Sequence, residues 1–576
     1  MLNFKKKEMK KLILLIIMSC GFYSCSDNIL NLSPIDQISE DAVWTDSKLA
    51  AAYQTELYNS IQHGFKIHMQ SKATDEAFAS IDFDIGMIPR GNLNADNVGN
   101  VSNEHWTGGG NIYYWNTGFK YLRKINLFLE KMEASTLDLD DKARLIAESK
   151  FLRAFIYFQF IERFGGVPII DKTFNLGDEF SFTRNTFEEC VAFIEADLNA
   201  AIPDLPARYQ STDANFGRAT ADACKALKSR LYLYAASPLF NTNNDRSKWE
   251  KARDAAKDLL NSGYSLHPDY TTLFDQPSGS PNNEIIFSRQ FSSTNFHQNP
   301  MNNLGRRYGA YGGWWSSNGP SQNLVDDYDM TNGERPFIYS GSGANITKTI
   351  NPLSGYNPQD PYSNRDPRLE ATVIHHGSVY HGDTFEMWVA SDGNTWGYDT
   401  YKESGDNPRS NYQLRKFMPD VNTPLSWQYN YTNPWIIFRL AEIYLNYAEA
   451  MFELGDEATA REYLSKVRAR TGVDMPAIPA TVTGEALRQR IYNERRVELA
   501  FEEHRYWDVR RWKIAEDVAN RPIYGMDIFK KPNGDLEYSP VLLLKRTFVP
   551  KMYLLPIQTS EINKNGGSLS QTTGWE

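Results

Sequence analysis

The sequence predicts a mostly α-helical fold with tetratricopeptide-like helix pairs and a loop-rich, partly β insertion. Three observations predict it. Apolar residues recur at helical spacing through the first half, as at Phe151, Ala154, Phe155 and Phe158. Arg439–Leu454, Gly455 and Asp456–Arg470 form a helical hairpin, in which Ala448, Gly455, Ala458 and Ala460 allow close approach and Leu464 and Val467 face back. Between about 274 and 433 the helical period gives way to Gly, Pro, Asn, Ser and aromatic residues, as in GRRYGAYGGWWSSNGP.

The elements follow in chain order. Lys5, Lys6, Lys7, Lys10 and Lys11 precede the apolar run Leu12–Met18, which is too short for a bilayer span and fits the apolar core of a signal peptide. Ser19-Cys20 and Ser24-Cys25 then offer two acylation sites. Ile17 favours Cys20, whereas the following Ser26-Asp27-Asn28 favours Cys25, which we take as the lipidated residue with cleavage after 24. Such an anchor would tether the chain without a spanning helix. Helices are predicted over Asp141–Phe164, stopped by Gly165-Gly166-Val167-Pro168, over Asn185–Ala201, over Thr220–Ala236 and over Ser247–Leu260, with Gly263 beyond. Trp435–Leu454, interrupted by Arg439, Glu442 and Glu449, reads as a core helix rather than a membrane span, and Glu485–Arg511 reads as one further long helix. Val541–Leu544 and Tyr553–Ile557 suggest short extended pieces near the end. Cys190 and Cys224 sit in helical patterns and read as buried free thiols.

A length of 576 residues suits about two to four ordinary domains or one large elaborated one. The net charge of −10 opposes nucleic-acid binding, because no broad basic face would neutralise phosphates. Arg495→Glu498, Glu502→Arg505 and Asp508→Arg511 are spaced i, i+3, so this charged run reads as an ion-pair lattice along one helix rather than a catalytic cluster. His375, His376, His381 and Asp383 match no closed zinc pattern, and Asp82, Asp84, Asp326, Asp327 and Asp329 lack the ligand density of a calcium loop and read as solvated acids. No metal or cofactor is therefore assigned, and no nucleophile or acid–base signature stands out.

The aromatic loops are the candidate site. A sugar ring offers an apolar C–H face to Trp or Tyr and hydroxyls to Asn, Asp, Arg or Gln. Tyr308, Tyr311, Trp314 and Trp315 lie beside Arg306, Arg307, Asn318 and Gln322, among glycines that make poor core. Trp388, Trp396 and Tyr398 form a second cluster, and Trp106, next to Gly108-Gly109-Gly110, a third. Packing of these rings against the scaffold is the competing reading.

Six segments in order, with the closing stretch, resemble the SusD/RagB family: Trp115 with Tyr121, Ile125 and Asn126; AESKFLRAFIYFQFIERFGGVPII at 147–170; GRATADACKALKSRLYLYAASPLF at 217–240; NRDPRLE at 364–370; IFRLAEIYLNYAEA at 437–450; NERRVELAFEEHRYWDVRRW at 493–512; and LLPIQTSEIN…LSQTTGW. The resemblance implies a surface lipoprotein of the outer membrane that binds a glycan, has no catalytic activity, and sits as a lid on a SusC-like TonB-dependent transporter. A peptide ligand, as for RagB-like members, is the alternative, and a scaffold that grips other proteins is a third. The resulting division is a signal peptide, 1–24, and a single SusD-like domain, 25–576. Its helical scaffold covers about 41–270 and 434–520, the ligand-facing insertion about 274–433, and the closing segment 521–576.

Overall fold

The computed structural model describes residues 40–576, save 79–80, 82, 103–108, 138–140, 176, 179–180 and 309–315. Helix takes 41% of the chain and strand 11%, so the mostly α expectation holds. The helices are α1 (Glu40–Thr45), α2 (Ser47–Glu56), α3 (Trp115–Ala134), α4 (Lys142–Phe164), α5 (Phe187–Ala201), α6 (Ala221–Ala236), α7 (Arg246–Leu260), α8 (Leu440–Glu453), α9 (Glu457–Arg468), α10 (Gly484–Glu498) and α11 (Arg505–Arg511), with shorter turns between them. Among the described residues no helix is long and apolar enough to cross a membrane.

Several helices begin at a polar cap. The Thr186 side chain accepts from the Glu189 N–H while Glu189 reaches back to Thr186, a reciprocal box that starts α5. Thr220 caps α6, Asp245 caps α7 and Asp456 caps α9. From Phe151 onward α4 is buried on nearly every side, which explains a run too apolar for a surface helix. It ends at two glycines with different duties. Gly165 adopts φ +74°, and a Cβ on Gly166 would lie 1.9 Å from the Asn185 carbonyl oxygen. Successive helices α3 to α7 pack on one another, and α8 packs on both α7 and α9. Cys190 and Cys224 are buried and free.

The α8–α9 hairpin matches the expected helix pair, with two changes in detail. Ala448 and Ala460 lie in the contact, but Ala458 faces solvent. Gly455 supplies φ +89° at the turn rather than a close approach. Trp435–Arg439, expected to be helical, is a fully buried strand, β3, paired antiparallel with β1 (Ile285–Arg289). Bulky β-branched and aromatic residues without a polar face suit a buried strand as well as a buried helix, so period alone does not separate them. At the C-terminus, β4 (Ile523–Lys530) and β5 (Leu536–Leu544) form a long antiparallel hairpin, a larger extended piece than expected. A short strand from the middle region, β2 (Val389–Ala390), joins β4 in parallel at Phe529 and Lys530.

The expected helix Glu485–Arg511 is two helices. The helix is interrupted between α10 and α11, where Phe501 and Glu503 take φ of +62° and +63°. Of the three expected i, i+3 pairs only Asp508–Arg511 forms. The lattice instead ties distant segments together. Glu498 accepts from Arg439 at 2.6 Å, Arg470 at 2.7 Å and Arg368 at 2.9 Å. Arg439 also reaches Glu284 and Glu502, and Arg505 reaches Asp75. Asp326, Asp327 and Asp329, read from sequence as solvated, belong to this system: Lys348 meets Asp326, Arg335 and Arg496 meet Asp327, and Arg468 and Arg490 meet Asp329. Their cations lie up to 169 positions away in the chain (Arg496 to Asp327), beyond any local pattern.

Candidate functional site

Strand β2 fixes the site. Its Val389 bridges Trp396, and the Ala390 N–H donates to the Thr395 carbonyl, so residues 389–396 close a tight hairpin on the end of β4. The Gly397 N–H then bonds the Trp388 carbonyl at 2.8 Å. A Cβ at Gly397 would stand 2.3 Å from the Glu386 carbonyl oxygen, so only glycine lets 396–399 lie this close to 386–388.

Trp396 and Tyr398 emerge from that turn 38% and 41% exposed. Their surroundings are held by charge. The Trp396 Nε1 donates to Glu403 Oε2 at 2.9 Å, and Arg306 Nη1 donates to Glu403 Oε1 at 2.6 Å. Arg307 forks onto the fully buried Asp399 at 2.8 and 2.6 Å. The two guanidinium carbons stand 5.5 and 5.1 Å from the centre of the Tyr398 ring. Buried Asn407 joins both segments, accepting from the Arg306 N–H and donating to the Tyr398 and Thr400 carbonyls. The Trp396 Nε1 is therefore pinned, while the residue stays 38% exposed.

The other expected residues fare differently. Tyr308 is half-buried: its hydroxyl donates to the Tyr380 carbonyl at 2.6 Å and its ring meets Tyr380 edge-on. It acts as a strut against Tyr380. Trp388 is half-buried against the core, with the Lys530 Nζ 4.4 Å from its ring centre. Asn318 is buried, donating to Asn303 and accepting from the Met69 N–H at 2.9 Å. Gln322 is buried between Asp326 and Tyr412. Both side chains are consumed in internal hydrogen bonds. Cys20, Cys25, Trp106, Tyr311, Trp314 and Trp315 lie outside the described residues.

The flanks of the two undescribed aromatic segments meet on one strip of backbone. The Gly110 N–H donates to the His68 carbonyl, and Asn318 donates to the Ile67 carbonyl as well as accepting from Met69. Burial first, and then Lys72, lower the His68 pKa to about 3, leaving a neutral ring nitrogen 2.6 Å from the Lys72 ammonium. Among the described residues no group of three or more His, Cys, Asp or Glu is placed to hold a metal. His375 stacks on Tyr362 and contacts Glu370, and His376 accepts from the Met387 N–H.

Sequence reasoning missed Glu403 and Asp399, since nothing local marks a carboxylate as the clamp of a ring several residues away. It also passed over Phe296 and Tyr429, exposed on neighbouring loops where Gln298 donates to the Trp427 and Tyr429 carbonyls. The aromatic density of WQYNYTNPW at 427–435 was the available signal.

Comparisons with known proteins agree on one family. Residues 283–575 match the SusD family, and residues 31–233 match a family described as starch-binding, associating with the outer membrane. A SusD-like protein from Bacteroides fragilis has a similar structure, with a TM-score of 0.74 and 29% identity over 94% of this chain and 100% of its own. A SusD-like carbohydrate-binding protein from the same species gives 0.73 and 26%, covering 91% and 99%. The starch-binding protein SusD of Bacteroides thetaiotaomicron is 31% identical over 153 residues, 27% of this chain and 25% of that protein. The chain, from its helix pairs to its closing segment, belongs to the SusD family.

Proposed function

We propose that this protein is a cell-surface lipoprotein that captures an oligo- or polysaccharide and delivers it to a partner SusC-like TonB-dependent transporter in the outer membrane. The observation that carries the reading is Trp396: an indole held at its edge by Glu403 and open to solvent on a loop scaffold. That arrangement suits the apolar face of a sugar ring, which stacks on a flat side chain while its hydroxyls remain hydrogen-bonded. Relatives named for starch or carbohydrate binding support the ligand class. Trp106, Tyr311, Trp314 and Trp315 are further ring contacts in this reading, Trp388 backs the shelf, and acylated Cys25 supplies the tether. The protein acts by binding and contributes no catalytic group.

Titration calorimetry of the protein truncated after Cys25, against a panel of purified polysaccharides, tests this. One or more polymers are expected to bind, and Trp396→Ala is expected to weaken that binding about 30-fold, the effect of removing a central aromatic anchor of about 2 kcal/mol. Unchanged affinity in the variant would move the site off this shelf. Replacing Cys25 by Ala is expected to release the protein from the cell envelope.

A further inference from the structure

The shelf also carries information about the charge of its ligand. An anionic polysaccharide, such as a uronate or sulfated chain, needs cations free to meet it. Here the arginines are already matched. Arg306 is paired with Glu403 at 2.6 Å, Arg307 with Asp399 at 2.6 Å, and Arg409 with Asp527 at 2.8 Å. Asp383 adds a carboxylate 3.5 Å from Arg307, and Asp406 adds another that accepts from the Ser404 hydroxyl. Two lysines stand outside these pairs, the exposed Lys402 and Lys530, whose Nζ lies 4.4 Å from the Trp388 ring centre, and they are outnumbered by the acids Asp383, Asp399, Glu403 and Asp406.

Glu403 sits at the centre of this balance. Its two oxygens are divided between the Trp396 indole and the Arg306 guanidinium. One carboxylate therefore fixes the orientation of the ring and cancels the cation nearest to it. We infer that the shelf takes electrically neutral sugar rings, with Glu403 as the positioning residue that sets both the attitude of Trp396 and the neutrality of its surroundings. This rests on the glycan reading above and narrows it.

The test compares neutral polymers (laminarin, amylopectin, galactomannan) with anionic ones (polygalacturonate, alginate, chondroitin sulfate) by affinity electrophoresis and calorimetry, in about 50 and about 500 mM salt, where screening differs strongly. The native protein is expected to bind only among the neutral polymers, with an affinity that changes less than about twofold with salt. Glu403→Gln, on an exposed loop where the fold survives, is expected to weaken neutral binding about tenfold and to create salt-sensitive binding of polygalacturonate as Arg306 is freed. A merely structural Glu403 would not produce that new anionic binding. The inference is overturned if the native protein binds a uronate or sulfated polymer with affinity that falls steeply in salt, or if Glu403→Gln alters neither class. Trp396→Ala separates the two levels. If it abolishes binding of an anionic polymer, the site stands and only neutrality falls; if it leaves neutral binding intact, the site falls as well.

Discussion

The same chemical bond, arginine to carboxylate, is used in two regions of this molecule with opposite consequences. In the lattice around α10, Glu498, Arg470 and Arg368 are wholly buried; Glu498 Oε1 meets Arg439 and Arg470, and its Oε2 meets Arg368, from segments far apart in the chain. On the aromatic shelf, Arg306 and Glu403 bond at a similar 2.6 Å, but their side chains are 42% and 28% exposed. Burial decides what the bond is worth. In the interior, removing one partner leaves an uncompensated charge away from water, so the lattice fixes how α8, α10, β3 and the middle region fit together. At the surface water replaces a lost partner, and the pair has little to offer except geometry.

Breaking the buried side gives the largest expected effect. Burial by itself would raise the Glu498 carboxyl, but Arg470, Arg439 and Arg368 override it and hold the group well below the usual carboxylate range. A depressed folded value contributes stability above the unfolded pKa of about 4.3 and loses it as pH falls through the lowered folded value. Glu498→Ala is expected to cost about 3–5 kcal/mol in urea unfolding at pH 7. A loss no larger than that of a surface pair would mean the three arginines find other partners, and the contrast between the regions would fail.

The next effect lies where the lattice is incomplete. Asp75 and Glu76 are adjacent and both buried, yet they are shifted in opposite directions. Burial would raise Asp75, but Arg496 and Arg505 hold it well below the ordinary range. At Glu76 burial prevails over Arg496 and lifts the pKa to about 7, and its Oε1 has no hydrogen-bond partner among the described residues. A raised folded value means the native state holds the proton more tightly, so stability is present below about pH 4.3 and lost as pH rises toward 7. Glu76→Gln mimics the neutral form. It is expected to flatten the pH dependence of unfolding across that window and to stabilise the protein by up to about 3–4 kcal/mol at pH 8. Parallel pH profiles for the native protein and the variant would show that Glu76 is charged and paired after all.

The difference between the regions also explains what the sequence could and could not tell. The helices of the first half were legible because a capping residue, a 3.6-residue period and a terminating glycine act within one turn of each other, as at Thr186 and Glu189 or at Phe164-Gly165. The break between α10 and α11 was not legible. Arg505, Asp508 and Arg511 continue the charge spacing of Arg495 and Glu498, and nothing in a period reports that Phe501 and Glu503 adopt left-handed backbone. The ionic nature of that run was readable, but its partners Arg439, Arg470, Arg368 and Asp75 are supplied by the fold. At the shelf, aromatic residues among glycines marked the loops. Tyr308 was chosen by the same composition and became a strut, because exposure depends on what packs beneath a ring rather than on its neighbours in sequence.

The smallest expected effect on stability is the one that sharpens the comparison most. Arg306→Ala removes one of the two partners of Glu403 and leaves the other, the Trp396 indole, in place. Because both side chains reach water, the variant is expected to lose under about 1 kcal/mol in urea unfolding, and less still in high salt. Ligand affinity is expected to respond more than stability does, since the freed carboxylate can turn away from the indole and let the ring swing from its binding attitude. A stability loss comparable to that of Glu498→Ala would place the shelf within the frame of the fold. A small loss accompanied by weaker glycan binding would separate the two uses of the bond: buried, it specifies the structure, and exposed, it aims a side chain.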